Sequence, residues 1–467
     1  MRHQNSEHQN HVKRLIFEYE VLSQKGTVSF YEETVYLEMI SLLEQEGKWQ
    51  KASNIADTAI SQHPFCADLY LRKAELLLNR NMIEECLVTI DRAEIFAPLN
   101  VQLLLLKADL LATKGEHIEA LSIIEILKHT AALDELSEVF LAEAHLREDL
   151  RQYPEMFRAL KRCLMSNPDC IEGYEKILLL VERRGFYKDS AQFHNKMIDQ
   201  NAYNSTAWRN LGFALRGMNR TEEAIEAFEY TFAIDEKCKI AYMEAAEMLL
   251  EKKDFARALY VYENAIFNTH EDSEIMQQLG YCYQMLKDFK TAKIFYQRAI
   301  EFDKKNSEAY FRMGECLTAQ GLWSNAIQYF QKAIELEYHR EDFHAGLGNA
   351  YFQTNDLSNA LFSYRKATFI APDDVAYWMR YTYFLLNIGQ EKMALRVLDK
   401  AEVHCGGPEI EYCRVACLYQ MGKKSEALYL LGDALKCDFE KHKSIFQWRP
   451  ELAKNRDMQN VIMAFLP

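Results

Sequence analysis

Proline and glycine are scarce in this sequence, with eight prolines and 17 glycines among 467 residues. Both interrupt helices, proline because it lacks an N–H donor and glycine because it loses the most backbone entropy on folding. Alanine, leucine, glutamate, lysine, methionine and tyrosine dominate, while valine and isoleucine are scattered, which favours helix over strand. Because 49% of the residues are hydrophobic, the chain can bury a core and global disorder is excluded. The composition predicts an all-α fold.

The sequence also lacks an excess of positive charge. Its 55 lysines and arginines stand against 69 aspartates and glutamates, which gives a net charge of −14, and no stretch is persistently basic. A protein that mainly binds a nucleic-acid backbone needs a clustered Lys/Arg face to neutralise the phosphates. We therefore expect no nucleic acid among the partners.

Long apolar runs are missing as well. No window approaches 18 uncharged apolar residues, and the N-terminal stretch MRHQNSEHQNHVKRLIFEYE lacks the apolar centre of a signal peptide. Eleven cysteines, an odd number scattered through helical patterns, are typical of free thiols in a reducing compartment. These features predict a soluble, cytoplasmic chain without a membrane span.

A 34-residue period is what the sequence does contain. One track of small residues with this spacing is Gly212, Ala246, Gly280, Gly314 and Gly348. A second track is Ala224, Ala258, Ala292, Ala326, Ala360 and Ala394. A third follows seven residues after the second, at Ala265, Ala299, Ala333, Ala367 and Ala401. Two helical patterns per period, separated by a short break, indicate an array of stacked helix pairs.

This arrangement resembles the tetratricopeptide repeat, a 34-residue helix-turn-helix with the pattern W-x2-L-G-x2-Y, then A-x3-F, A and P. Two stretches carry the pattern, one with Trp208, Leu211, Gly212, Ala224 and Phe228 and the other with Tyr310, Gly314, Ala326, Phe330 and Ala333. Twelve repeats start near residues 33, 67, 101, 137, 171, 205, 239, 273, 307, 341, 375 and 409. We expect a polar tail and capping helix in 1–32, the repeats in 33–440, and a capping helix in 441–467.

The resemblance implies a right-handed α-solenoid, that is, a superhelix of antiparallel helix pairs. Packed helices approach to roughly 8 to 10 Å, and the closest crossings need small residues. We therefore expect Gly212 to face Ala224 within one repeat.

Two places depart from the pattern. The fifth repeat has Leu178, Ser190 and Met197 at its small positions, and in 408–427 the turn is one residue short, so we expect local distortion in both. At the ends, a helix over 11–23 and a last apolar segment are the candidate caps. That segment carries Phe446, Trp448, Leu452, Val461, Ile462 and Phe465. The alternative for it is a detachable segment that docks in the protein's own groove or on a partner.

Signatures of catalysis are missing. The chain has no Walker loop, no G-x-G-x-x-G after a strand, no G-x-S-x-G elbow and no H-E-x-x-H, so we expect no catalytic residue and no cofactor. The nearest approach to a metal site consists of His404, Cys405, Cys413, Cys417 and Cys437. It lacks a C-x2-C pair, and cysteine packs well as a small core residue. His3, His8 and His11 fit a polar tail, so no metal is expected.

The resemblance implies a concave surface lined by positions 2, 5, 6, 9, 12 and 13 of each first helix. The Lys/Asn clamp that binds chaperone C-termini in this family is absent, because Arg209, its nearest counterpart, is followed by Phe213 and Glu244. The amino-terminal half of this surface presents carboxylates at Glu38, Glu75, Asp109, Glu148 and Asp149. The later half presents aromatic side chains and arginines, the residues that binding hot spots use.

We predict a partner-binding groove formed by Arg209, Phe213, Tyr281, Phe311, Arg312, Asn349, Phe352, Arg380, Tyr383 and Arg414. The alternative is that these long side chains only cover a helical surface. If they bind a partner, replacing Arg312 and Arg380 with glutamate should abolish its capture without lowering the melting temperature.

The functional hypothesis is a non-catalytic scaffold that binds a peptide or a partner protein in the concave groove. One alternative is a regulatory or adaptor subunit of an enzyme or chaperone complex. An RNA reader of a related helical-repeat type is disfavoured by the acidity, and an enzyme by the missing motifs. The sequence does not indicate the partner or the oligomeric state.

Overall fold

Helices account for all the regular structure of the described residues. The computed structural model describes residues 2–25, 27, 29–269 and 272–466, without the side chains of residues 2–9, 444, 447, 448 and 450. Within these residues no strand is present, and consecutive helices pair and stack. The predicted all-α repeat solenoid is therefore confirmed. The chain divides into two compact units, unit 1 over Met1–Ile234 and unit 2 over Asp235–Pro467.

Unit 1 consists, over its described residues, of a long first helix and six helix pairs. Its helices are α1 (Arg2–Gln24), α2 (Glu33–Gln45), α3 (Trp49–Gln62), α4 (Ala67–Asn79), α5 (Ile83–Glu94), α6 (Val101–Lys114), α7 (His117–Thr130), α8 (Leu136–Asp149), α9 (Tyr153–Ser166), α10 (Ile171–Arg184), α11 (Tyr187–Gln200), α12 (Ser205–Gly217) and α13 (Thr221–Ile234).

Unit 2 consists, where the structure describes it, of six further pairs and two shorter helices. These are α14 (Lys239–Glu251), α15 (Phe255–Asn268), α16 (Ser273–Met285), α17 (Phe289–Phe302), α18 (Ser307–Ala319), α19 (Trp323–Leu336), α20 (Glu341–Gln353), α21 (Leu357–Ile370), α22 (Val375–Asn387), α23 (Glu391–His404), α24 (Pro408–Gln420), α25 (Lys424–Cys437), α26 (Lys443–Trp448) and α27 (Arg456–Ala464). Short 3-10 helices lie at Glu440–His442 and Pro450–Lys454.

One residue with a left-handed backbone ends the first helix of every pair. These residues have φ between 57° and 86° and are Gly47, Asn81, Gly115, Arg151, Gly185, Asn219, Lys253, Lys287, Gly321, Asn355, Gly389 and Gly422. Most follow one another at the 34-residue step. Glycine and asparagine adopt this conformation most readily, so the sequence itself predicts the break between the two helical patterns.

Short polar side chains fix where many helices begin. The amide oxygens of Asn204 and Asn306 accept hydrogen bonds of 2.9 Å from the backbone N–H three positions on, at the start of α12 and α18. The carboxylates of Asp254, Asp288 and Asp356 do the same for α15, α17 and α21, at 3.1 to 3.2 Å. Each side chain satisfies a backbone donor that the helix leaves open at its first turn.

The glycine track makes room for an aromatic ring from the second helix of the pair. A Cβ atom on Gly212 would lie 2.7 Å from Cε1 of Phe228, so Gly212 faces Phe228. Ala224, one turn before Phe228, is itself fully buried. The expectation that Gly212 also faces Ala224 stays a prediction.

Both expected distortions can be located. In the fifth repeat, α10 and α11 pack less closely than the other pairs of unit 1, and Ser190 and Met197 are buried at the small positions. In unit 2 the missing residue is not in the turn of 408–427, because 421–423 has the same length as 388–390. The loop 405–407 is shorter than 371–374 by one residue, and Gly406 and Gly407 both have positive φ there.

The end segments pack on neighbouring pairs. Tyr19 of α1 is buried, and its hydroxyl lies 2.7 Å from Oγ1 of Thr58 on α3. At the other end, the single helix expected in 441–467 is replaced by α26, a 3-10 helix and α27. Ile445, Leu452 and Ile462 of this segment are buried in one cluster with residues of α24 and α25. The Trp448 side chain lies outside the described residues.

Candidate binding groove

A groove with a cavity volume of about 680 Å³ lies in unit 2. Its walls are mainly α18, α20 and α22, the first helices of three successive repeats. The lining residues are Phe311, Glu315, Thr318, Phe330, Asp342, Ala345, Gly346, Asn349, Tyr364, Val375, Ala376, Met379, Arg380, Tyr383 and Glu409. We call this site the unit 2 groove. From the set proposed on sequence grounds it brings together Phe311, Asn349, Arg380 and Tyr383.

The floor of the unit 2 groove is aromatic. Phe330 and Tyr364, from the second helices α19 and α21, are 1% and 5% exposed. Phe311 is 6% exposed and stacks on Phe343, with ring centroids 4.8 Å apart. Phe311 is therefore mostly a core residue, and only part of its ring faces the groove.

A gap in the side chains of α20 opens the groove. At Ala345 and Gly346 this helix presents almost no side chain, whereas the equivalent residues are Phe311 and Arg312 on α18. A Cβ on Gly346 would lie 3.0 Å from Cε1 of Phe330 and 3.2 Å from Cε2 of Phe311. We call this space the Gly346 hollow. The edges of the Phe330 and Phe311 rings border it.

The sequence prediction did not include the Gly346 hollow, because only large or charged side chains at the inner positions indicated a binding surface. Position 6 of the successive repeats in unit 2 reads Glu244, Gln278, Arg312, Gly346, Arg380 and Arg414. A single glycine in this row was the signal that could have revealed the hollow.

The carboxylates of the lining are already paired with cations. Glu315 accepts a 2.9 Å hydrogen bond from Arg312. Asp342 lies 2.7 Å from a guanidinium nitrogen of Arg340, and Glu409 lies 2.5 Å from Nζ of Lys441. The negative charge of the lining is therefore largely compensated within unit 2.

Arg380 is the exception among the charged lining residues. Its guanidinium lies 5.7 Å from the ring centroid of Tyr377, one turn earlier on α22. Over the described part of the chain it makes no ion pair, and the residue is exposed. The unit 2 groove thus presents one positive charge that is free to meet an anion.

Arg312, in contrast, is held by its own helix. Its Nε donates to Glu308 at 2.7 Å, and its guanidinium also lies 5.1 Å from the ring centroid of Tyr281. Burial lowers the pKa of Arg312, but the charges of Glu315 and Glu308 outweigh burial and leave the pKa above its ordinary value. Arg312 and Tyr281 form a packed cluster beside the unit 2 groove.

Asn349 and Tyr383 stand on the walls of the groove. Asn349 is exposed, and its side-chain amide makes no hydrogen bond to the residues that the structure describes. Tyr383 is 42% exposed. Both occupy position 9 of their repeats, on α20 and α22, so they project from equivalent places on neighbouring helices.

Phe352 and Arg414, which the sequence also proposed, belong to unit 2 but lie away from the lining. Phe352 packs edge-on against Phe384 at 5.3 Å. Arg414 donates to Asp399 at 2.6 Å and to Glu402 at 2.7 Å on the preceding helix α23. The charge of Arg414 is therefore compensated inside unit 2.

Arg209 and Phe213 belong to unit 1 and line none of the described cavities there. Phe213 packs edge-on against Phe228 at 5.2 Å. Arg209 is half-buried, and its Nε has no hydrogen-bond partner among the described residues. The cavity of about 90 Å³ in unit 1 lies elsewhere, at α8, α9 and α10, where Lys176 donates to Glu148 at 2.9 Å.

No group of three or more His, Cys, Asp or Glu side chains within the described residues could hold a metal ion. Cys413 and Cys417 are buried in a hydrophobic cluster, and burial raises the pKa of the Cys417 thiol to about 12, which disfavours the thiolate that a metal needs. His3 and His8 have side chains outside the described residues. Among the helices as far as they are described, none combines the length and apolarity that crossing a bilayer requires.

Comparisons with known proteins identify the repeat. Three tetratricopeptide repeat family models match, one over residues 209–272, one over 273–306 and 342–374, and one over 307–337. A comparison with curated proteins finds no significant match.

Solved structures with similar folds include those of YrrB, Cut9-Hcn1 and MamA. The crystal structure of YrrB, "a TPR protein with an unusual peptide-binding site", is 25% identical and covers 40% of this chain and 96% of that one, with a TM-score of 0.35. The APC/C hetero-tetramer Cut9-Hcn1 is 14% identical over 92% of this chain and 95% of that one, with a TM-score of 0.39. MamA is 19% identical over 34% and 94%, with a TM-score of 0.33.

The family matches lie within the stretch where the 34-residue tracks are most regular. Helix pairs of similar length, each with a left-handed residue in its turn, extend on both sides of the matched residues. Residues 209–337 and 342–374 match the tetratricopeptide repeat, and the helix pairs of the chain are consistent with a protein of roughly a dozen such repeats.

Proposed function

We propose that this chain is a non-catalytic protein-interaction scaffold, and that the unit 2 groove binds an extended segment of a partner protein. Stacked helical repeats offer extended binding surfaces, and this family is used in that way. The observation that carries the proposal is the groove itself: Asn349 and Arg380, neither with a polar partner in the described chain, stand above a floor of buried aromatic rings.

The size of the groove fits a short stretch of polypeptide. Its volume of about 680 Å³ lies within the range of roughly 300 to 1,000 Å³ that ligand sites occupy. The side-chain amide of Asn349 offers two donors and an acceptor. These match the C=O and N–H of one peptide unit, so Asn349 can hold the backbone of a bound segment.

The lining also supports a binding role over catalysis. It contains no histidine, cysteine or serine that could act as a nucleophile or general base beside the carboxylates. Glu315 and Asp342 are each already bound to an arginine side chain of unit 2.

Affinity capture with the full chain tests the proposal. Wild type, Arg380→Glu and Arg298→Glu are used as baits, and bound proteins are quantified by mass spectrometry. Arg298 is a matched control, because it is exposed, stands 5.9 Å from the ring of Phe295 on its own helix, and does not line the groove. We expect a stoichiometric partner with wild type and Arg298→Glu that is lost with Arg380→Glu. Equal capture by all three would contradict the proposal.

Two finer predictions belong with this proposal. A regulatory or adaptor role would show as a change in the activity of the captured partner when the purified chain is added. We also propose that 1–32 and 441–467 cap the repeats of 33–440. Deletion of α27 would then lower the melting temperature, because Met458 and Ile462 leave the cluster on α24 and α25.

A further inference from the structure

We propose that the Gly346 hollow takes an aromatic side chain of the bound segment, and that Arg380 holds an acidic residue close to it in the same segment. This inference rests on the proposed function of the unit 2 groove and names the chemistry of its partner: an extended peptide in which an aromatic and an acidic residue lie near each other.

The first argument is the shape of α20. On α18 and α22 the positions equivalent to Ala345 and Gly346 carry large side chains, which are Phe311 and Arg312 on one side and Met379 and Arg380 on the other. Because α20 lies between these two helices, its small residues leave the groove open above Ala345 and Gly346. The rings of Phe330 and Phe311 already border the place of the missing Cβ, so a side chain from outside would pack above these rings.

The second argument is the surface at the bottom of the gap. The carbons nearest to a Cβ on Gly346 belong to the rings of Phe330 and Phe311. An aromatic guest can meet these rings edge-to-face or offset, geometries that add about 0.5 to 1.5 kcal/mol to the burial of the ring. Phe330 and Phe311 are 1% and 6% exposed, so a guest ring would contact the edges of these rings.

The third argument is charge. Glu315, Asp342 and Glu409 are compensated by Arg312, Arg340 and Lys441, so a basic segment would find no free carboxylate in the lining. Arg380 is unpaired within the described chain, in a protein with a net charge of −14. An acidic side chain complements this one free charge, and a guanidinium binds carboxylates through paired N–H donors.

The geometry also sets the spacing of the two residues. Gly346 and Arg380 occupy position 6 of neighbouring first helices, and packed helices lie roughly 8 to 10 Å apart. An extended chain advances about 3.3 Å per residue. The acidic residue should therefore lie about two or three residues from the aromatic one.

The test is selection from a phage-displayed library of random twelve-residue peptides on the full chain. We expect enrichment of peptides with Phe, Tyr or Trp about two or three residues from Asp or Glu. Replacing the aromatic residue of a selected peptide by alanine should weaken binding about 30-fold, the loss typical of a hot spot.

Variants of the protein test which groove residue binds the aromatic side chain and which binds the acidic one. Gly346→Leu fills the hollow and should weaken binding of the aromatic peptide but not of its alanine-substituted form. Since Gly346→Leu could also disturb the floor rings, Ala376→Leu is the second variant: Ala376 is exposed and lines the same groove. Arg380→Gln should remove the preference for the acidic residue, and Arg298→Gln should not.

The outcomes separate the two proposals. The proposal for the Gly346 hollow would be overturned if the selected peptides need Arg380 but show no aromatic preference, or if they bind Gly346→Leu and Ala376→Leu as well as wild type. Either result would still support the unit 2 groove as a peptide site. Selected peptides that are insensitive to Arg380, Gly346 and Ala376 alike, or a library without any binder, would overturn the unit 2 groove as a peptide site and this inference with it.

Discussion

The ring of Phe330 lies against the backbone of Gly314, where an added Cβ would come within 2.6 Å of Cε1. The same relationship recurs between Gly212 and Phe228 and between Gly280 and Tyr296, with the same separation along the chain each time. A ring from the second helix thus fills the space that a missing side chain leaves on the first. This contact explains why the glycine track and the aromatic track share one period.

Gly314→Ala should destabilise the protein. Alanine favours helix over glycine by about 1 kcal/mol, but a methyl group cannot fit at 2.6 Å from a buried ring. We expect a net loss of about 1 to 3 kcal/mol in the free energy of unfolding, as for other overpacked cores. Urea unfolding followed by circular dichroism measures it. Gly432→Ala is the control, because its nearest atom would lie at 3.5 Å; it should be neutral or slightly stabilising, and equal losses for both variants would argue against the contact.

Arg380 in the unit 2 groove and Arg312 beside it should respond differently to reversal of charge. Arg312→Glu would put a third carboxylate between Glu308 and Glu315, so we expect a loss of about 2 kcal/mol in stability. Arg380→Glu removes no ion pair in the described chain and should stay within about 0.5 kcal/mol of wild type. Thermal unfolding compares the two. Unchanged melting temperatures for both would show that Arg312 is not structural.

His194 should make unit 1 sensitive to acid. Its ring is fully buried, Nδ1–H donates to the carbonyl of Ser190 at 2.8 Å, and burial lowers the pKa of the imidazole to about 4. Between pH 6.5 and 4 the unfolded chain binds a proton at this residue and the folded chain does not, so stability is full above 6.5 and falls toward 4. At pH 4.5 the expected loss is about 2 to 3 kcal/mol relative to pH 7.5.

The comparison with His194→Gln isolates that loss, since other carboxylates titrate over the same range in both proteins. Urea unfolding at pH 7.5 and 4.5 should show a steeper decline for wild type than for the variant. Parallel declines would mean that His194 is protonated in the folded protein.

Replacement by glycine should change stability in opposite directions at two lysines, one in a left-handed turn and one inside a helix. Lys287 has a φ of 65°, which strains any side chain with a Cβ, so Lys287→Gly should raise stability by about 0.5 to 1 kcal/mol. Lys332 lies inside α19, where Lys332→Gly should lower stability by about 1 kcal/mol. Denaturant midpoints of the two variants provide the measurement. A loss of stability in both would contradict the turn geometry.

Periodicity predicted the helix pairs because its causes are local. Small residues at helix crossings, left-handed turn residues and polar caps recur within each repeat. Every 34-residue period of the sequence therefore predicts the same two helices. The division at 234 and 235 had no such signal, since the alanine track continues from Ala224 to Ala258 without a change of step.

The candidate site was predicted less completely, because the fate of a side chain depends on neighbours. The pairing of Arg312 could have been read from Glu308 and Glu315, which lie one turn before it and one turn after it on one helix. The contacts of Arg414 with α23 and of Phe311 with Phe343 could not, because they join different helices. Only the structure therefore shows which side chains at the inner positions of the first helices are exposed.

Site-specific photo-crosslinking tests the central claim most directly. A benzoylphenylalanine at position 349, on the wall of the unit 2 groove, is compared with one at position 358, an exposed serine on the second helix of the same repeat. With the captured partner, position 349 should give a single crosslinked peptide whose yield falls when Arg380→Glu is added, and position 358 should give none. Two results would contradict binding in this groove: crosslinks from position 358 in equal yield, or a yield at position 349 that is unchanged by Arg380→Glu.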